Sequence, residues 1–187
     1  MDGRMGTWAI REFGPGDLGY IAHRHGVLYS REYDLGVPFE GYVIASMAEF
    51  LDNKNPDLDR VWIAEVDGQF AGCIALIGRG DGQVQLRWFL VEPEFRGRGT
   101  GKALMATSID HCRRNGVKNI YLWTLSILDA ARAIYERAGF RLSQQVTHEI
   151  WGKTLTEQRW DLDVGGAQDV ANGGGESLSM GGGKASR

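Results

Sequence analysis

Leu90-Val91-Glu92-Pro93-Glu94-Phe95-Arg96-Gly97-Arg98-Gly99-Thr100-Gly101-Lys102 is the stretch on which the fold of this chain turns. An apolar run ends at Val91. Pro93 has no N–H to give to a ladder, so a strand stops there. Glycines follow at 97, 99 and 101. From Gly99 to Asn115 the pattern is helical, with Leu104, Met105, Ser108, Ile109 and Cys112 on one face. A helix N-terminus presents unpaired backbone N–H groups and the positive end of the peptide dipole. Glycines let that backbone come close to an anion, and Arg96, Arg98 and Lys102 add positive charge. The stretch reads as a phosphate cradle.

Spacing decides which cradle it is. A nucleotide P-loop needs GxxxxGK[ST]. Counting back from Gly101-Lys102, its first glycine would fall on Arg96, and Ala103 stands where the magnesium-binding Ser or Thr belongs. A dinucleotide fingerprint needs GxGxxG. Gly97 and Gly99 begin it, but Gly101 comes one residue early and the required position is Lys102. Neither reading survives. The pattern that fits is [Q/R]-x-x-G-x-[G/A], filled by Arg96, Gly99 and Gly101.

Outward from this stretch the chain alternates strands and helices. Upstream, residues 7–12 read as a strand, Pro15-Gly16-Asp17 as a turn and N-cap, and residues 17–32 and 38–51 as helices. Val61, Ile63 and Glu65 alternate with Trp62, Ala64 and Val66. Asp67-Gly68 is a hairpin turn into a strand over 69–77. Gly80-Asp81-Gly82 turns the chain again into 84–91. Downstream, Gly116 ends the helix and 119–123 is an apolar strand. Asp129 caps a helix over 129–138 that Gly139 closes, and strands follow over 140–150 and 154–164. The order β-α-α-β-β-β-α-β-α-β-β predicts an α/β protein, a mixed sheet of six to seven strands with four helices packed on it.

The 187 residues divide into an arm over 1–6, one domain over 7–164 and a Gly-rich tail over 165–187. The tail is too poor in apolar residues to offset its ordering entropy and is expected to be disordered. Lys+Arg 21 against Asp+Glu 24 leaves a net charge of -3, which disfavours a general nucleic-acid binder. Cys73 and Cys112 form no CxxC pair and read as buried thiols suited to a reducing cytoplasm. No apolar run approaches the ~18 residues of a membrane span.

Arg96, Gly99 and Gly101 in this context resemble the pyrophosphate-binding motif of the GNAT N-acetyltransferase superfamily. A second match is Ala133-Ile134-Tyr135-Glu136-Arg137-Ala138-Gly139-Phe140, similar to that superfamily's Y-E-x-x-G-F helix. The element order agrees over about 7–164. His23 to Tyr29, Leu122 to Ser126 and Thr156 to Val164 look like the acetyltransferase half of fusions with MarR-type regulators, here standing alone. The resemblance implies the GNAT acyl-CoA N-acyltransferase fold, acetyl-CoA as co-substrate and direct acetyl transfer to a small-molecule or protein amine in a ternary complex. It also makes a homodimer and a MarR-type regulator candidate partners. The alternative is a non-catalytic acetyl-CoA sensor or regulatory subunit.

The same resemblance assigns roles. Backbone N–H groups over Arg96, Gly97, Arg98, Gly99, Thr100, Gly101 and Lys102 hold the pyrophosphate. Phe89, Leu90 and Val91 offer main-chain groups to the pantetheine arm, because the superfamily splays two strands there. One N–H near Leu90 or Val91 acts as the oxyanion donor. Tyr135 is the candidate general acid for the leaving thiolate, since a phenol with a pKa of about 10 can protonate it. Leu128 stands where an Asn commonly touches the cofactor. For the general base Glu92 is the first candidate, with His23, His25, His148 or a water as alternatives. Arg87, on the strand over 84–91, instead favours an acidic group on the substrate. His25, Tyr29, Arg87 and Trp123, with Trp151, are candidates for the acceptor pocket. A zinc site from His23, His25 and His148 is set aside, because i and i+2 diverge on a helix and zinc needs three or four converging ligands.

Overall fold

A computed structural model describes residues 7–165. The arm over 1–6 and the tail over 165–187, apart from Gly165, lie outside the described residues. The elements follow the order read from the sequence: β1 (Trp8–Glu12), α1 (Asp17–Tyr33), α2 (Val37–Asp52), β2 (Arg60–Val66), β3 (Gln69–Gly80), β4 (Gln83–Val91), α3 (Thr100–Arg114), β5 (Asn119–Leu125), α4 (Asp129–Ala138), β6 (Arg141–Ile150) and β7 (Lys153–Asp163). A 3-10 turn at Pro93–Phe95 joins β4 to the glycine loop.

The seven strands form one sheet in the order β1-β2-β3-β4-β5-β7-β6. Every neighbouring pair is antiparallel except β4 and β5. Helices cover both faces, so the central strand β3 is buried without interruption from Ala71 to Ile77. Alternation in β2 sends Val61 and Ile63 to the α1/α2 face, with Leu28, Phe39 and Val43. Trp62 and Ala64 go to the α3 face, with Leu104, Met105, Ile109 and Cys112. Gly72 on β3 is obligatory, since a Cβ there would lie 2.5 Å from the Leu90 carbonyl oxygen. Both cysteines are free and buried, as expected.

Three hairpins close on two-residue turns in which both residues have positive φ, the geometry that matches strand twist. They are Asp67-Gly68 (φ 52 and 74), Asp81-Gly82 (φ 51 and 76) and Trp151-Gly152 (φ 52 and 75). The first two are legible as Asp-Gly pairs. The third is not, because tryptophan rarely adopts the left-handed region. Its indole packs against Phe39 and Tyr42, with ring centroids 4.9 and 5.3 Å away, which ties the β6–β7 hairpin to α2.

Strand β4 carries a bulge in its pairing with β3 between Arg87 and Leu90, with Trp88 at φ 47. The bulge changes which residues face which way. Val84 and Leu86 belong to the α3-side core, whereas Trp88 and Leu90 belong to the α1/α2-side core. The Cys73 thiol donates to the Trp88 carbonyl at 3.0 Å. The expected Asp129 cap is corrected, while the α1 cap falls within Pro15-Gly16-Asp17 as read. Gly16 and Leu128 occupy the N-cap positions, and neither Asp17 nor Asp129 caps its helix through its side chain. Asp17 instead accepts the Gly14 N–H at 2.7 Å and pairs with Arg11.

Candidate active site

β4 and β5 pair only over Gln83–Gln85 with Asn119–Tyr121. Beyond this point the strands separate, and the later part of β4 loses its neighbour on that side. The Glu92 N–H donates to the Ala71 carbonyl, so alternation turns the main chain of Leu90 towards β3 and that of Val91 into the gap. The Val91 carbonyl accepts from Arg96 Nε at 3.0 Å.

A groove of about 490 Å³ runs from this gap to the head of α3 and is lined by Phe89, Val91, Arg96, Gly97, Gly99, Gly101 and Lys102, with Tyr33, Ala131, Ile134 and Arg137 opposite. Gly97 and Gly99 have φ of 73 and 90 with open space where a side chain would point. They are needed for backbone conformation. Gly101 is needed for space, since a Cβ there would lie 3.1 Å from Ile134 and 3.3 Å from Phe89. The first helical bond runs from the Ala103 N–H to Gly99. Among the described residues no backbone N–H from Gly97 to Lys102 donates to the protein. Six consecutive free amides at a helix N-terminus fit a diphosphate.

Two loop side chains differ from expectation. Arg96 is not a free charge. Its guanidinium is bidentate to Glu32 at 3.0 and 2.8 Å, so it staples the loop to α1. Arg98 does not line the groove and lies 5.9 Å over the Phe95 ring. Thr100 is buried, with its hydroxyl donating to Phe95 O at 3.3 Å. Besides the Glu32-paired Arg96, the cationic side chains lining the groove are Lys102 and Arg137; the resemblance gave Arg137 no role.

A second cavity of about 110 Å³ lies across the gap. β4 gives it Arg87 and Trp88. α1 and α2 give His25, Tyr29, Phe39 and Tyr42. Trp123, Thr124, Trp151 and Glu157 close the far side. Tyr29, Phe89 and Leu128 line both spaces, so the cavities meet at these residues. Of the predicted residues, His25, Tyr29, Arg87, Trp123 and Tyr135 come together here. Tyr135 is buried, its ring centroid 5.9 Å from that of Phe89. Its hydroxyl makes no hydrogen bond to the described residues, and burial pushes its pKa up, so it stays protonated.

His25 Nδ1 lies 2.9 Å from the Ile21 carbonyl, so Nδ1 carries the proton in the neutral ring. The ring stacks on Tyr29, which stacks on Phe39. Burial pushes the His25 pKa down to about 4. The unfolded chain protonates this histidine near its ordinary value of about 6.5. Below that pH the unfolded state therefore binds more protons, and stability is lost as pH falls towards the folded pKa. Urea unfolding is expected to show a loss of about 2 kcal/mol between pH 7 and pH 5 from this group. The pH slope should flatten in His25→Gln.

Glu92, the first candidate for the general base, is corrected. It lines neither cavity. Its two oxygens accept from Arg24 Nε and Nη2 at 2.6 and 2.7 Å, and its side chain is only 6% exposed. The pair fastens α1 to the end of β4. Arg24→Ala strands the buried carboxylate and is expected to lower unfolding free energy by about 3 kcal/mol in chemical denaturation. His23 lies beside Tyr20, away from both cavities. His148 Nε2 is 2.7 Å from Oε2 of Glu157, a cavity residue that the sequence reading missed. No cluster of three or more His, Cys, Asp or Glu among the described residues could hold a metal. No helix among them is long and apolar enough to cross a membrane.

The family model of the acetyltransferase (GNAT) family matches residues 28–140. The chain belongs to this family. It is 37% identical over 81 residues to an N-acetylaspartate synthetase of Danio rerio, covering 43% of this chain and 29% of that protein. It is 32% identical over 118 residues to the N-acetyltransferase camello of Xenopus laevis, covering 59% and 54%. The chain thus spans about half or less of the length of these relatives. An acetyltransferase of Salmonella typhimurium, solved with its cofactor acetyl-CoA, shares the fold at TM-score 0.62 and 22% identity, over 84% of this chain and 94% of that one. The ribosomal-protein-S18-alanine N-acetyltransferase of Escherichia coli does so at TM-score 0.65 and 20% identity, over 93% and 100%.

Proposed function

We propose that the protein is an N-acetyltransferase in which an amine in the smaller cavity receives the acetyl group directly, within a ternary complex. When bound, acetyl-CoA supplies an activated acetyl group and a good leaving sulfur. The amides from Gly97 to Lys102 hold the diphosphate, and Lys102 and Arg137 add charge. Phe89 and Val91 present main-chain groups along the groove, and the Val91 N–H is the oxyanion donor. Tyr135 holds the proton that the departing thiolate takes. No nucleophile from the protein is needed, because two substrates placed in adjoining cavities react without one.

One observation carries this reading: a run of six free amides, four of whose residues (Gly97, Gly99, Gly101 and Lys102) line a groove, and that groove meets a second, aromatic-walled cavity at Tyr29, Phe89 and Leu128. Thiol release from acetyl-CoA, measured over a panel of amines, tests it. Acetyl-CoA binding without acetylation of any acceptor would favour the sensor instead. The buried thiols Cys73 and Cys112 support a cytoplasmic location. The likeness to MarR-type fusions, a MarR-type partner and a homodimer rest on sequence resemblance alone, and no step above depends on them.

A further inference from the structure

We infer that the acceptor amine also carries a carboxylate, which Arg87 binds while Glu157 receives the ammonium group. This rests on reading the smaller cavity as the acceptor site. Arg24 and Arg96, the arginines that brace the loop, each hold a carboxylate. Arg87 makes no ion pair among the described residues. Its Nη2 donates to the Tyr42 hydroxyl at 2.8 Å, and its guanidinium lies 5.5 Å over the Tyr42 ring and 5.9 Å over that of Trp88. The β4 bulge beside it brings Arg87 and Trp88 to the same cavity. The acids on the other side of Arg87 are engaged. Asp59 accepts the backbone N–H groups of Gly78 and Asn55. Glu49 faces Arg79 at 3.8 Å.

A guanidinium has five N–H donors in a planar fork that matches a carboxylate. The bond to the Tyr42 hydroxyl and the place over two aromatic rings restrain that fork before any ligand arrives. Glu157 stands on β7 opposite Leu125 of β5, across the cavity from β4. One of its oxygens meets His148 and the other is open to an ammonium group. His148 is 41% exposed, so a proton taken from the amine by Glu157 can pass through its imidazole to water. The nitrogen lone pair so freed attacks the acetyl carbon, the C–S bond breaks, and the nitrogen gives up its second proton by the same route through Glu157 and His148 to water. The sulfur takes the Tyr135 proton, and the phenol recovers one from solvent. An amine lacking the acid leaves Arg87 unpaired, and a site built for a polar partner rejects analogues without it strongly.

The test compares short amino acids with their primary amides and their decarboxylated amines, using acetyl-CoA and wild-type, Arg87→Met and Arg87→Lys proteins. The wild-type protein is expected to favour the acids at least 100-fold in kcat/KM. Arg87→Met should bring this ratio to within a few fold of unity, and Arg87→Lys should keep part of it. Coenzyme A affinity, measured in parallel, should be the same in all three. Equal use of acids and amides by the wild-type protein overturns the inference. So does an equal loss on both in Arg87→Met, or a CoA-loaded protein that neither binds nor acetylates any amino acid. Failure of coenzyme A itself to bind would instead remove the underlying functional reading.

Discussion

Gly99→Val is expected to weaken coenzyme A binding by at least 100-fold while the protein stays folded. Gly99 is the N-cap of α3 at φ 90. A β-branched residue is strained there by roughly 1–2 kcal/mol, and the loop must move to relieve it. Any such movement turns the free amides away from a common point. The new side chain also projects into space that nothing in the protein occupies, beside the proposed diphosphate site. Calorimetry gives the affinity, and far-UV circular dichroism with a denaturation midpoint shows that the fold persists. An unchanged affinity in the folded variant would show that the diphosphate sits elsewhere.

Tyr135→Phe is expected to lower kcat by 10²- to 10³-fold, within the usual range for a lost proton donor. Acetyl-CoA affinity should change by no more than about three-fold, because the ring and its packing against Phe89 and Phe140 remain. The hydroxyl has no protein partner among the described residues, so its removal leaves no buried donor or acceptor behind, and stability should hold. Its raised pKa keeps the phenol protonated, so this group adds no alkaline limb to kcat below about pH 10. Normal turnover in the variant, with chemistry shown to limit the rate, would take Tyr135 out of the mechanism.

What could be read from the sequence was local. The Asp-Gly turns at 67–68 and 81–82, the Pro93 stop and the spacing of Arg96, Gly99 and Gly101 depend on residues near one another in the chain, and the structure places each as expected. The loop's geometry was legible because conformation there follows from glycines and a helix start. Most of the features that differ depend on distant partners. Glu92 looked free until Arg24, 68 residues away in sequence, closed on both its oxygens. Arg96 looked like a phosphate ligand until Glu32 took it. Glu157 had no motif around it and reaches the smaller cavity only because β7 lies beside β5. Trp151 turns a hairpin because its indole is held by α2, and Trp88 marks a bulge that alternation alone cannot reveal.

The central claim is that main-chain amides from Gly97 to Lys102 receive the diphosphate of the co-substrate. The most direct measurement is a titration of nitrogen-15-labelled protein with coenzyme A, followed by amide resonances. The account predicts saturable binding with the largest shifts at Gly97, Gly99, Thr100, Gly101 and Lys102. Binding that leaves those resonances in place, or folded protein that shows no shift at all, would contradict it.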